Sequence, residues 1–228
     1  MTTSVIWPST LTPRTFTLTL VPDLRVVGAV FGGSEIVNDL EDDTWRVSME
    51  VDSRSGAQGA ALEALVNWLQ GGIHTTEFGH FARPQPRGDV LTTTLATSAA
   101  KGADSVLMYT TPGQTIKIGD MFSVGGLLLQ VADTVTATTT TTTTLFYESD
   151  TTLFYSSDTT RFYSRGVGTS LNALTEVKLV NRLRLAIAAG SAVNFNNPKI
   201  RWRMSNASGV SHTLGGTNSV SLEFVEDI

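Results

Sequence analysis

Polar and apolar residues alternate over three separate stretches, 15–21 (TFTLTLV), 45–51 (WRVSMEV) and 219–225 (SVSLEFV). A period of two sends successive side chains to opposite faces of an extended chain, so each stretch specifies a strand with one side buried and one wet. The middle one is the cleanest: Trp45, Val47, Met49 and Val51 share one face, and Arg46, Ser48 and Glu50 the other. Pro8, Pro13 and Pro22 mark strand ends or edge positions nearby. Only at 56–72 does the period lengthen. There Ala61, Leu62, Leu65, Val66 and Leu69 fall on one stripe of a helix, and Gly71 and Gly72 supply its stop signal. Such a helix is marginal alone in water, so its stripe must lie on a sheet. The expected fold class is mainly β with one helix.

Residues 81–88 (FARPQPRG) hold two prolines, two arginines and a glycine between periodic segments, and are the expected linker and domain boundary. Short β-like runs follow at 90–96, 105–109, 115–118, 121–124 and 127–131, with turns at Gly119-Asp120 and Gly125-Gly126. Closely spaced short strands with glycine turns suit a small barrel or sandwich. Further strands are expected at 176–188, 193–195 and 199–204. Between these groups, seven threonines at 138–144 lead into LFYESDTT, LFYSSDTT and RFYSRGVG, a repeat of eight residues that degrades in its third copy. Thr and aromatics favour extended chain and Ser-Asp favours turns, so a hairpin-like projection and a low-complexity surface loop are both compatible with it. Three such copies are too short for a solenoid with its own core.

With 228 residues, the chain lies between one large domain and two small ones, since domains commonly run to roughly 100–200 residues. It has no cysteine, which removes disulfides and thiolate metal sites from consideration. The N-terminal MTTSVIWPSTLTPR lacks the basic and apolar segments of a secretory signal, and no apolar run approaches the ~20 residues that cross a bilayer. Residence in a cytosol, or in an assembly built there, is expected. The net charge of −5 is distributed as −4 over 1–87, −1 over 88–187 and 0 over 188–228. Gripping phosphate takes clustered Lys and Arg, and no such stripe is present, so tight nucleic-acid binding is not expected.

His74, Glu77 and His80 could in principle hold Zn²⁺, but they lack the helical i, i+4 spacing that makes such a set specific, and they are expected as solvated loop residues. Asp39, Glu41, Asp42 and Asp43 lack the glycine and closing glutamate of a calcium loop and suit a charged turn guarding a sheet edge. Asn206-Ala207-Ser208 has the form of a glycosylation acceptor without a secretory signal. Trp7, Trp45, Trp68 and Trp202 sit among apolar neighbours and are expected in cores or interfaces. The chain contains no phosphate-binding loop, dinucleotide glycine fingerprint or nucleophile elbow. No catalytic, cofactor-binding or metal-binding residue is assigned, no cofactor is expected, and the chain is not expected to be an enzyme.

Taken in order, several features resemble the distal tail proteins of siphophages. They are the N-terminal strand region, the WRVSMEV strand, the helix ending NWLQGG, the Pro/Gly linker, a β region with the Gly119-Asp120 turn, and the return through LRLAIAAGSAV. The resemblance covers most of the chain except 134–168. It implies a tail-tube-like β-sandwich with a flanking helix, made from 1–87 and 188–228. Residues 88–187 would be inserted as a small OB-like β-barrel carrying the Thr-rich, FY-repeat loop at 134–168. It also implies a structural protein of a bacteriophage virion: a hexameric ring joining the tail tube protein to the tail tip or baseplate hub, with receptor-binding proteins as further neighbours. DNA would pass through such a ring during ejection without specific binding. Excess acid in 1–87, if it lined the channel, would repel phosphate and let the genome slide. A sheet with unpaired edges also suits sideways association into a closed ring.

Two alternatives stand beside this one. A tail-tube or tube-terminator subunit would share the sandwich, although the large insertion argues against a plain tube subunit. A carbohydrate-binding module of a tail would use Phe146-Tyr147, Phe154-Tyr155 and Phe162-Tyr163 to stack on sugars.

Overall fold

A computed structural model of the chain describes residues 3–27, 36–39, 43–53, 56–138, 173–206 and 218–228. The repeats at 145–168, residues 40–42 of the acidic run, His212 and residues 207–208 lie outside the described residues. The described chain is mainly β with a single helix, as the patterning implies, and its strands form several sheets.

The first core is built on one sheet of six strands. These are β1 (Ser4–Ile6), β2 (Pro13–Val21), β5 (Thr44–Ser53), β6 (Thr75–Phe78), β15 (Ile200–Met204) and β16 (Asn218–Glu226), in the order β1-β6-β15-β16-β5-β2. A separate two-stranded ribbon, β3 (Leu24–Val27) with β4 (Ile36–Asp39), follows β2. The three alternating stretches of the sequence become the neighbours β2, β5 and β16. Their registers align the apolar sets: Leu18 opposite Val47, Phe16 opposite Met49, Met49 opposite Leu222, and Val47 opposite Phe224. Each aligned pair lies on the covered face, where cross-strand contacts supply the stability of a sheet. The other face carries Arg46, Ser48, Ser221, Glu223, Arg201 and Arg203, all exposed and mixed in sign.

Helix α1 (Gly56–Leu69) covers the apolar face, burying Leu62, Leu65, Val66 and Leu69 as expected, with Gly59 also buried and Ala61 half-buried. Past Leu69 the backbone turns left-handed through Gln70, Gly71 and Gly72. A side chain at Gly72 would place its Cβ 2.5 Å from the Met204 carbonyl oxygen, so this stop needs glycine for space as well as for φ. Strands lie ≈ 4.8 Å apart, which would put β2 about 19 Å from β6 in a flat sheet, four places away. Yet Phe16 on β2 lies 5.5 Å from Phe81, three residues beyond β6, so the chain that leaves β6 packs against the far edge strand. Trp7, Phe78, Trp202 and Phe224 complete an aromatic cluster there, with Phe78 stacked on Trp202 at 5.0 Å.

The second core uses short strands: β7 (Thr92–Thr94), β8 (Ser105–Thr110), β9 (Thr115–Ile116), β10 (Met121–Val124), β11 (Leu127–Gln130), β12 (Val135–Thr136), β13 (Ala173–Lys178) and β14 (Ala192–Asn194). They form the sheet β11-β10-β14-β7 and the pairs β8–β13 and β9–β12. Single bridges, Leu95 to Met108 and Val131 to Leu179, connect the sheets, and none of the sheets closes into a barrel. Gly125 and Gly126, both at positive φ, make the two-residue hairpin between β10 and β11 that the sequence calls for. Phe122 and Phe195, at 4.9 Å, anchor the interior with Leu95, Met108, Leu127, Leu129 and Val177.

Several expected boundaries are corrected. The stretch 73–80, expected as solvated loop, contains β6, which pairs parallel with β1 and antiparallel with β15 and buries Thr75, Thr76 and Phe78. Its TTEF sequence shows no apolar alternation because Phe78 is its one apolar residue and the buried Thr75 and Thr76 fall on opposite faces. The strand expected over 176–188 stops at Lys178, where the chain leaves the β8 ladder and crosses to the end of β11. Residues 192–195, grouped with the return segment by the expected division, pair with β10 and β7 and pack in the second core. The 81–88 segment is irregular, as expected of a linker, but it is anchored. Buried Asp120 accepts the backbone N–H groups of Arg87, Gly88 and Lys117 at 2.7–3.0 Å, and a Cβ at Gly88 would run into the Thr115 carbonyl oxygen.

Candidate functional site

The possible zinc set does not assemble. Among the described residues no three His, Asp or Glu side chains are placed to hold a metal ion. The physical reason is the strand: His74 and His80 flank β6 while Glu77 lies within it, on the side opposite Phe78 and Thr76. His74 stacks on Trp68 and accepts the Thr3 N–H, and Glu77 accepts from the Ser4 hydroxyl. His80 packs on Phe16 and accepts the Arg83 N–H. Burial, and secondarily the Arg83 guanidinium, holds the His80 imidazole below its usual pKa of 6.5. Of the four tryptophans, Trp7, Trp45 and Trp202 are buried as expected, whereas Trp68 is 44% exposed at the end of α1.

The densest concentration of buried polar groups lies where the two cores meet. Strand β11 is an edge strand whose outward backbone groups face the first core, and side chains take the place of a neighbouring strand. The Leu128 N–H donates to Glu226 Oε1 at 3.2 Å, and the Leu128 carbonyl accepts from Trp45 Nε1 at 2.8 Å and Asn181 Nδ2 at 3.0 Å. Asn181 Oδ1 in turn accepts the Gln130 N–H. Leu128 and Met121 themselves pack in the first core. Glu226, the last residue of β16, also accepts the Trp45 N–H at 3.4 Å and pairs with Arg184, whose Nη2 lies 2.5 Å from Oε2. Both charged side chains are at least 97% buried. Such a pair survives burial only because hydrogen bonds satisfy the carboxylate, and removing one partner strands the other's charge.

Arg184 is less well supplied than Glu226. Its contact to Glu226 is a charge contact without hydrogen-bond alignment, and Nε, Nη1 and Nη2 have no hydrogen-bond acceptor. Arg184 also borders a cleft of ≈ 450 Å³ at the end of the first sheet, with Val21, Pro22, Asp23, Thr44, Arg46 and Ile228, although its guanidinium nitrogens are themselves closed to solvent. None of this was legible beforehand, because Glu226 and Arg184 stand in ordinary strand-like contexts with nothing to pair them.

The two edges of the six-stranded sheet are the other notable surface. Neither β1 nor β2 has an outer neighbour among the described residues, and Ile6 on β1 is 69% exposed. No helix in the described residues is long and apolar enough to cross a membrane. No protein-family model matches the chain, and no curated protein matches it significantly.

Proposed function

We propose that this chain is a structural subunit of a phage tail, a distal tail protein that assembles into a ring. The observation that carries the reading is the build of the first core. A six-stranded sheet is drawn from both ends of the chain, has a helix on one face and, among the described residues, two outer strands without neighbours, and is interrupted by a second β core. Unpaired edges are a liability for an isolated domain, and pairing with further copies removes it.

The finer architecture belongs to this proposal. The packing of Phe81, beyond β6, on Phe16 of the far edge strand supports a tail-tube-like sandwich for the first core. For an OB-like second core, the support is the circuit of neighbours β11-β10-β14-β7, continued by the Leu95 bridge to β8, then β13, and by the Val131 bridge back to β11. A hexameric ring, contacts to the tail tube protein, baseplate hub and receptor-binding proteins, and passage of DNA follow from the resemblance and are part of the same reading.

Electron microscopy and light scattering of the purified chain test it. The expected result is a closed six-fold ring. A chain that remains monomeric at high concentration and forms no ring overturns the proposal.

A further inference from the structure

We infer that the contact between copies of this chain is a parallel strand pair, β2 of one copy against β1 of the next. The inference rests on the ring reading and names the surface that closes the ring. Strand direction comes first. β1 runs parallel to β6, and four antiparallel steps, β6–β15, β15–β16, β16–β5 and β5–β2, lead from there to the other edge. Both edge strands therefore run the same way, and rotation about an axis along the strands sets β2 beside the next copy's β1 in parallel.

Each edge has the means to pair. The Thr3 carbonyl and the Trp7 N–H are spent on β6, so strand alternation turns the N–H and C=O groups of Ser4 and Ile6 outward. On β2, Pro13, Arg14 and the bulge before Thr15 all sit at the start, which leaves residues 15–21 with neither charge nor proline. An isolated domain commonly blunts a long open edge with those devices along its length. The apolar face of β2 is also incompletely covered: Phe16 and Leu18 are half-buried, while Met49 and Val47 opposite them on β5 are fully buried. A second copy brings Val5, which packs on the covered face of its own sheet and would extend that face past β2. Pairing like edges about a two-fold axis leaves the other edge open, whereas β2 against β1 uses both and propagates until the ring closes. Face parity limits the register. With Val5 opposite Phe16 or Leu18 on the covered side, Ile6 stands opposite Thr17 or Thr19 on the wet side.

The test uses the full chain, which has no cysteine, so introduced thiols are the only ones present. Ile6→Cys is combined with Thr17→Cys or with Thr19→Cys and treated with dibromobimane, which joins two neighbouring thiols. One of the two combinations is expected to give a ladder of covalent oligomers ending at the copy number of the ring, and each single variant to give none. Ile6→Cys combined with Ser48→Cys, exposed on the same wet face but one strand inward from Thr17, is expected to give none. Ile6→Lys, at a side chain already exposed in the single chain, is expected to weaken association at least about tenfold. Covalent dimers from a single variant, or unchanged association in Ile6→Lys, overturn the inference. Absence of a ladder in both combinations, with sedimentation showing an assembled ring, overturns it and leaves the ring reading standing, whereas a monomer without a ladder removes both.

Discussion

The two cores solve the same problem with different materials. In the first, long strands keep register over many pairs, β5 with both β2 and β16, and one helix and a cluster of large aromatics close the apolar face. In the second, strands of two to six residues are linked by glycine turns and single bridges, and the interior is mostly aliphatic with one phenylalanine pair. Long registers make strand identity a local property of the sequence. Short ones leave it to the neighbours, so the second core depends on polar side chains such as Asp120 and Asn181 to hold irregular backbone in place. The cores then meet at a polar junction beside Met121 and Leu128, which pack in the first core.

The junction offers the sharpest way to break that comparison. Glu226→Ala leaves the Arg184 charge buried alone and removes the acceptor of two backbone N–H groups, which should cost about 3–5 kcal/mol. Calorimetry should then show the two cores melting as separate transitions, whereas a single transition lowered as a whole would mean that they unfold as one unit. Replacing both partners, Arg184→Met with Glu226→Leu, should recover most of the loss. Next in size, Trp202→Ala removes a fully buried ring stacked on Phe78 and should cost about 3–5 kcal/mol by urea titration. In the Glu226→Ala background that loss should fall on the first-core transition alone.

Asp120→Ala probes the second core. It strips the acceptor from the N–H groups of Arg87, Gly88 and Lys117 and should cost about 1–3 kcal/mol, with faster hydrogen exchange confined to 83–90 and 115–120. A loss of protection in the first core instead would show that the linker couples the two.

The smallest effect is expected at His80, on the rim of the first core. Because its folded pKa lies below 6.5, the unfolded chain takes up the proton first as pH falls. The stability that neutral His80 provides is therefore fully present above 6.5 and declines as pH drops from there towards the folded pKa. His80→Gln should flatten the stability–pH curve in that window, measured by urea midpoints, and leave the second core unchanged.

How much of this was legible is uneven, for identifiable reasons. The Trp45–Val51 alternation and the Leu62, Leu65, Val66, Leu69 stripe appear in the structure as read, since period alone decides which face is buried. The strand at Thr75–Phe78 was not legible, because Phe78 is its one apolar residue and two buried threonines leave no apolar alternation to read. The strand expected to 188 stops at Lys178, and just beyond it the Asn181 side chain takes up ladder hydrogen bonds at the edge of β11.

By itself the sequence determined the class of the fold, the single helix and the facing of its longest strands, because these follow from the spacing of neighbours along the chain. The tertiary structure alone decided that Arg184 meets Glu226 and that Trp45, Asn181 and Glu226 together complete an edge strand. Those partners lie 42 to 181 residues apart or on different cores, and the cost of burying a charge is met only where the folded chain brings its counter-charge and hydrogen bonds to the same point.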